Sequence, residues 1–165
     1  MNFPQRKLLR LTNYDYSQNG YYFITIGTHN RIHIFGKISE GILLINDFGE
    51  IAKSELMQIP KHFPFVSLDN YVIMPNHVHV LVAIEKYFEN YGIAERSRPF
   101  PTVSTIIGLY KSGVSNKIHK LNPEIVIWQK SFHDHIIRNE IDYQNIWEYI
   151  STNPPKWMED QFYKE

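Results

Sequence analysis

Hydrophobic positions along the chain fall into two periods, and these predict the elements. In GYYFITIGT the aromatic and β-branched residues run from Tyr21 to Thr28 almost without a break, which predicts a strand. RIHIFGKISEGILLIND continues as short strands around Gly36 and Gly41. Asn46 or Asp47 caps a helix over FGEIAKSELMQIPKHFP, stopped near Pro60. FVSLDNYVIMP is the next strand; Pro75 and Asn76 interrupt it, and HVHVLVAI returns as its antiparallel neighbour. EKYFENYGIAERSRPFP has no period and reads as a mobile surface loop. A second helix begins near Pro101 and Thr102. It carries Val103, Ile106, Ile107, Tyr110, Val114 and Ile118 on one face, with Ser104, Lys111, Ser112 and Ser115 off it. Pro123 ends it. IVIWQKSFHDHIIR supplies a strand, and NEIDYQNIWEYIST a third helix stopped by Pro154 and Pro155. The order β, α, β, β, α, β, α predicts a mixed α/β (α+β) fold. The expected architecture is a ferredoxin-like, RRM-like split βαβ sandwich with an antiparallel sheet and helices on one face. No seam divides residues 1–165, which read as one domain.

Composition narrows this picture. A hydrophobic fraction of 43% over 165 residues is enough for a real core. Lys+Arg and Asp+Glu are both 17, so global charge announces no nucleic-acid partner and any basic footprint must be local. The chain has no cysteine, which excludes disulfides and thiolate zinc sites and suits an intracellular, cytoplasmic protein. No apolar run approaches the ~20 residues needed to cross a bilayer, so no membrane partner is expected. MNFPQRKLLRLTNYDYS lacks the apolar stretch of a secretory signal.

Two histidines sit oddly in this pattern. His77 and His79 lie two apart in an otherwise aliphatic strand, so they project from the same face while Val78 and Val80 point away. Two imidazoles so placed can grip one divalent metal, or can be a plain hydrogen-bonded pair on a half-exposed sheet. A rival pair, His133 and His135, has Asp134 between them; on a regular strand that carboxylate faces the other way and cannot complete a site with them.

A pair of histidines leaves a site incomplete, which directs attention to the last helix. With Ile141 at zero and about 100° per residue, Tyr143, Ile146, Trp147 and Ile150 cluster between about 140° and 240° as a core face. Tyr149 falls near about 80° and Asn153 near about 120°, on its edge. Tyr149 is thus displayed with a carboxamide one turn below it, where Asn153 could ligate a metal while Tyr149 faces the same site. An edge tyrosine that simply packs is the alternative.

The ordered set of these features resembles the single-tyrosine HUH transposases, closest to the REP-associated tyrosine transposases. The resemblance rests on MPNHVHVLV, LYKSGVSNKI on the middle helix, WQ with F..H.IR, and YI..NP, and it runs from Tyr21 to about Trp157. It implies a metal-dependent enzyme that cleaves and joins single-stranded or hairpin DNA through a 5′-phosphotyrosine. By position it makes Tyr149 the nucleophile and His77, His79 and Asn153 the ligands of Mg²⁺ or Mn²⁺. Asn153 stands where insertion-sequence relatives often carry Gln. His135 and Arg138 match H.IR and are candidate DNA contacts, as are Lys111 and Ser112. The resemblance also allows a homodimer in which the tyrosine serves its own or a partner's site.

Arg6, Lys7 and Arg10 form a basic N-terminal patch, and Arg96 and Arg98 lie in the loop. Tyr87, Tyr91 and Phe100 could stack on unpaired bases. Two other readings remain open: a domesticated hairpin-binding module that no longer cuts, and an RNA binder of the RRM type, which needs aromatics presented on the central strands.

Overall fold

The computed structural model describes residues 14–85 and 101–159. Six strands, β1 (Gly20–Gly27), β2 (Gly36–Ser39), β3 (Ile42–Ile45), β4 (Val66–Met74), β5 (His77–Ile84) and β6 (His133–Ile137), combine with four helices. These are α1 (Asp47–Leu56), α2 (Ile59–His62), α3 (Val103–His119) and α4 (Glu140–Thr152), followed by a 3₁₀ segment, Pro154–Glu159.

The main sheet has the order β4-β5-β1-β6, and every pairing in it is antiparallel. With α1 between β1 and β4 and α3 between β5 and β6, this is the split βαβ arrangement expected from the sequence. The strands β2 and β3 form a separate hairpin. The expected Asn46 cap is present, its side chain accepting from the amides of Phe48 and Gly49; at α3 the Thr102 side chain caps, accepting from the amide of Thr105.

The core lies on one side of the sheet. Ile24 and Ile26 of β1 join Val78, Val80 and Val82 of β5 against Ile106, Ile107 and Tyr110 of α3. The expectation of helices on one face holds for α1 and α3 and fails for α4. Phe23, whose side chain alternates away from Ile24, meets Tyr149 of α4 with ring centroids 6.0 Å apart, so α4 covers the opposite face. That helix buries little: Ile150 is buried, but Trp147, expected on its core face, is 43% exposed. Trp147 falls at the β4 edge of the sheet, where its carbonyl accepts from Asn70 Nδ2.

Two boundaries also differ. The strand expected from Ile125 is confined to β6, because residues 127–129 cross the end of the sheet. There Thr28 bridges Trp128, the Gln129 amide donates to Gly27 O, and the Trp128 indole donates to Lys111 O. Pro60 does not stop the first helix, which ends at Leu56; it sits in the first turn of α2, where its missing N–H costs nothing. The loop expected at 85–101 falls almost wholly outside the described residues, as do Arg6, Lys7, Arg10, Tyr87, Tyr91, Arg96, Arg98 and Phe100. No helix among the described residues is long and apolar enough to cross a membrane.

Candidate active site

The two-residue turn Pro75–Asn76 joins β4 to β5 and sets the first histidine. Thr28 ties this turn down: its amide and its hydroxyl both donate to Asn76 O, at 2.9 and 3.0 Å. The Asn76 carboxamide is buried and fully directed. Its Nδ2 donates to Arg31 O, which leaves Oδ1 to accept from His77 Nδ1 at 2.8 Å. His79 is held on its outer side by Thr25, directly opposite it on β1, with Oγ1 2.9 Å from Nδ1.

Both outer nitrogens are thus occupied by the protein, and the inner nitrogens converge. His77 Nε2 and His79 Nε2 are 2.9 Å apart, and neither side chain is solvent-exposed. Two nitrogens sharing one ion at about 2.1 Å and a right angle stand about 3.0 Å apart. Oriented imidazoles with bonded outer nitrogens are also the usual support of metal-ligating histidines. The donor set therefore fits a divalent ion. No group of three His, Cys, Asp or Glu residues gathers among the described residues. Asn153, buried at the end of α4, has the right chemistry for a third donor.

The tyrosine lies against this pair in the same chain. Tyr149 Oη is 3.4 Å from His79 Nε2, and the two rings are 5.2 Å apart, edge to face. Its ring is 36% exposed. It borders an open cleft of about 400 Å³, shared with Asn153, Lys156 and Glu148. Trp157 stacks on His77 at 5.9 Å and closes the other side.

The remaining candidates are dispersed. His135 shares the α4 face but binds Asp142, with Nε2 2.8 Å from Oδ2. Arg138 is exposed and borders a second cleft with Tyr21, Asn139 and Tyr143. His133 is exposed on β6, beside Thr25. Lys111 and Ser112 belong to α3, across the sheet from the histidines. The Lys111 ammonium donates to Gln129 O at 2.7 Å, and its partial burial lowers its pKa. Ser112 is exposed beside α1.

Sequence reasoning missed Thr25, Asn76 and Trp157. Thr25 had a signal, as a polar position within an apolar strand. Asn76 was read only as a turn residue. Trp157 gave none, because a 3₁₀ segment has no period long enough to assign a face.

No family model matches the chain. It is 36% identical over 167 residues to an uncharacterised protein of Haemophilus influenzae, covering 96% of this chain and 93% of that one, and belongs to the same family. A second Haemophilus influenzae protein, carrying the name "Putative REP-associated tyrosine transposase", is 29% identical over 148 residues, covering 88% of this chain and 77% of that one. Among solved structures, a REP-associated tyrosine transposase bound to a REP hairpin superposes with a TM-score of 0.64. It is 18% identical, with 90% of this chain and 74% of that one covered, and shows that the fold is shared.

Proposed function

The chain is a relative of the REP-associated tyrosine transposases, and on that premise we propose that it cleaves and rejoins hairpin or single-stranded DNA with Tyr149 as nucleophile. The observation that carries this reading is the approach of Tyr149 Oη to within 3.4 Å of His79 Nε2 in one chain. In the reaction Tyr149 Oη forms a bond to phosphorus and the bond from phosphorus to the 3′-oxygen breaks. The products are a 5′-phosphotyrosine and a 3′-hydroxyl, which keeps the tyrosine proton in the overall balance. The phosphodiester is exchanged and not hydrolysed, so a later 3′-hydroxyl can reverse the step without ATP.

His77, His79 and Asn153 would hold Mg²⁺ or Mn²⁺, hard ions that suit the amide oxygen and take the two imidazoles as the softer part of the set, with places left for phosphate. When bound, such an ion neutralises charge developing on the phosphate. Thr25 and Asn76 fix the imidazoles; Tyr149 is presented from the cleft side. His135 and Arg138, on the sheet's outer edge, are the better placed of the candidate DNA contacts. An RRM-type RNA reading is disfavoured because Tyr143 and Tyr149 pack on Tyr21 and Phe23, the aromatics such a surface would need open.

The test is incubation with Mn²⁺ and a stem–loop DNA bearing single-stranded flanks, followed by denaturing electrophoresis. Wild type should give a covalent protein–DNA band. Tyr149→Phe should bind the DNA and give none. Adducts from Tyr149→Phe would move the nucleophile elsewhere. Tight binding without adduct under any metal would instead mark a module that only binds hairpins.

A further inference from the structure

Gln129 has no role in the DNA chemistry proposed for Tyr149 and the histidines. Its main chain is tied at both ends: the amide donates to Gly27 O at 3.0 Å, and the carbonyl accepts from Lys111 Nζ at 2.7 Å. Gly27 in turn pairs directly with His77, so a side chain at position 27 would point to the histidine face. The Gln129 carboxamide fills that space. A Cβ built on Gly27 would meet Gln129 Oε1 at 2.9 Å, Cδ at 3.0 Å and Nε2 at 3.2 Å. The amide therefore lies flat across β1, one strand over from His77. It is half-buried and makes no hydrogen bond among the described residues.

A half-buried amide on the same face of the sheet as two metal-type histidines has donors to offer, and none of the described residues takes them. An anionic ligand at the histidine pair would take them. Resting on the proposed DNA chemistry, we propose that Gln129 is a phosphate-binding residue, its Nε2–H donating to a non-bridging oxygen of the phosphate that Tyr149 attacks. Gly27 is then a glycine because any side chain there would displace that amide.

Binding, rather than turnover, decides the matter. Anisotropy of the labelled stem–loop is measured with Mn²⁺ in the Tyr149→Phe background, which removes chemistry. Adding Gln129→Ala should weaken binding roughly tenfold or more, the loss of one hydrogen bond to a charged oxygen. The salt slope should stay unchanged, because a neutral donor releases no counterion. Gln129→Glu should weaken binding further by repelling phosphate. Gly27→Ala should reproduce the loss alone and add little to Gln129→Ala, with melting temperatures checking that each variant folds.

Equal affinities with and without Gln129→Ala, or tighter Mn²⁺ binding by Gln129→Glu that makes residue 129 a metal ligand, would overturn the proposal. The adduct assay on otherwise unmodified protein separates the two readings. No adduct together with a Gln129 binding defect removes the chemistry and keeps the contact. An adduct with no such defect removes the contact and keeps the chemistry.

Discussion

Replacing Thr25 by Val tests the metal reading at a residue that touches no ion. The Asn76 Nδ2 group donates to Arg31 O, so Asn76 Oδ1 is an acceptor and His77 must carry its proton on Nδ1. The Nε2 of a neutral His77 is then bare. It stands 2.9 Å from His79 Nε2, so in the metal-free chain the proton between them belongs to His79. His79 Nδ1 is consequently bare and accepts from the Thr25 hydroxyl at 2.9 Å. Metal binding needs both Nε2 atoms bare. The His79 proton then resides on Nδ1, and Thr25 changes from donor to acceptor.

Only a hydroxyl serves both states, and valine, of the same shape, serves neither. In the metal-bound state Thr25→Val buries an unpaired N–H, costing about 1–3 kcal/mol. The metal-free state loses a bonded acceptor, a part of that cost, and the difference falls on affinity. Mn²⁺ binding should weaken about 10-fold, toward the lower end of the range for groups that orient a metal ligand. The stabilisation given by excess Mn²⁺ should fall by about 1.4 kcal/mol. Calorimetric titration at fixed pH reads the first, and urea unfolding with and without Mn²⁺ reads the second. Thr25→Ser should bind as wild type. Unaltered Mn²⁺ affinity in Thr25→Val, or equal losses in the valine and serine variants, would refute the tautomer argument.

Two further outcomes follow from buried groups. Tyr110 lies in the core with a hydroxyl that has no hydrogen-bond partner among the described residues, and burial, then the nearby Glu55 charge, push its pKa above the usual 10.0. A raised pKa means the native state holds its proton longer, so this stability is full below pH 10 and is lost as pH rises beyond it. Wild type should therefore lose up to about 1.4 kcal/mol per pH unit above pH 10 from this group. Tyr110→Phe should equal or exceed wild type by up to about 1 kcal/mol near pH 8 and lose this slope; identical slopes in urea unfolding at pH 8 and 11 would contradict the assignment. Lys111→Met keeps the apolar stem and removes the bond to Gln129 O, so it should lower stability by about 1–2 kcal/mol and leave the salt slope of DNA binding untouched. A slope reduced by about one would make Lys111 a phosphate contact after all.

The sheet and its two crossover helices were legible because each has one buried face and a period that shows it. HVHVLVAI gave both the strand and the common direction of its histidines, since strand alternation is strict. The last helix was legible as a helix and misleading as to its face. Angular bookkeeping put Tyr149 and Asn153 on an edge, and they do line one cleft. The same bookkeeping put Trp147 inside, but it lies at the β4 edge of the sheet and is left half exposed. Thr25 showed only as a polar position in an apolar strand and Gln129 only as part of the WQ motif, and the role of neither could be read. Their meaning depends on which strand lies opposite which, and register is set by long-range pairing that local sequence does not encode.

That pairing also explains how two distant segments form one site. Tyr149 and His79 are 70 residues apart in sequence. The link is an irregularity in β4, where the register with β5 shifts between Leu68 and Asn70. A bulge turns adjacent side chains out of the regular alternation, and here both reach α4. Asp69 accepts from the Tyr143 hydroxyl at 3.1 Å, while Asn70 Nδ2 donates to Trp147 O at 3.0 Å and to Ser151 Oγ at 2.8 Å. These three bonds flank Tyr149 on both sides along the helix. They are exposed, and exposed bonds each contribute little; beyond them α4 buries Ile150 deeply and not much else. The histidines, by contrast, are fixed by a turn, two strands and buried hydrogen-bond partners, Asn76 and Thr25. The histidine half of the site is therefore set by folding itself, and the tyrosine half by a helix whose attachment costs little to loosen.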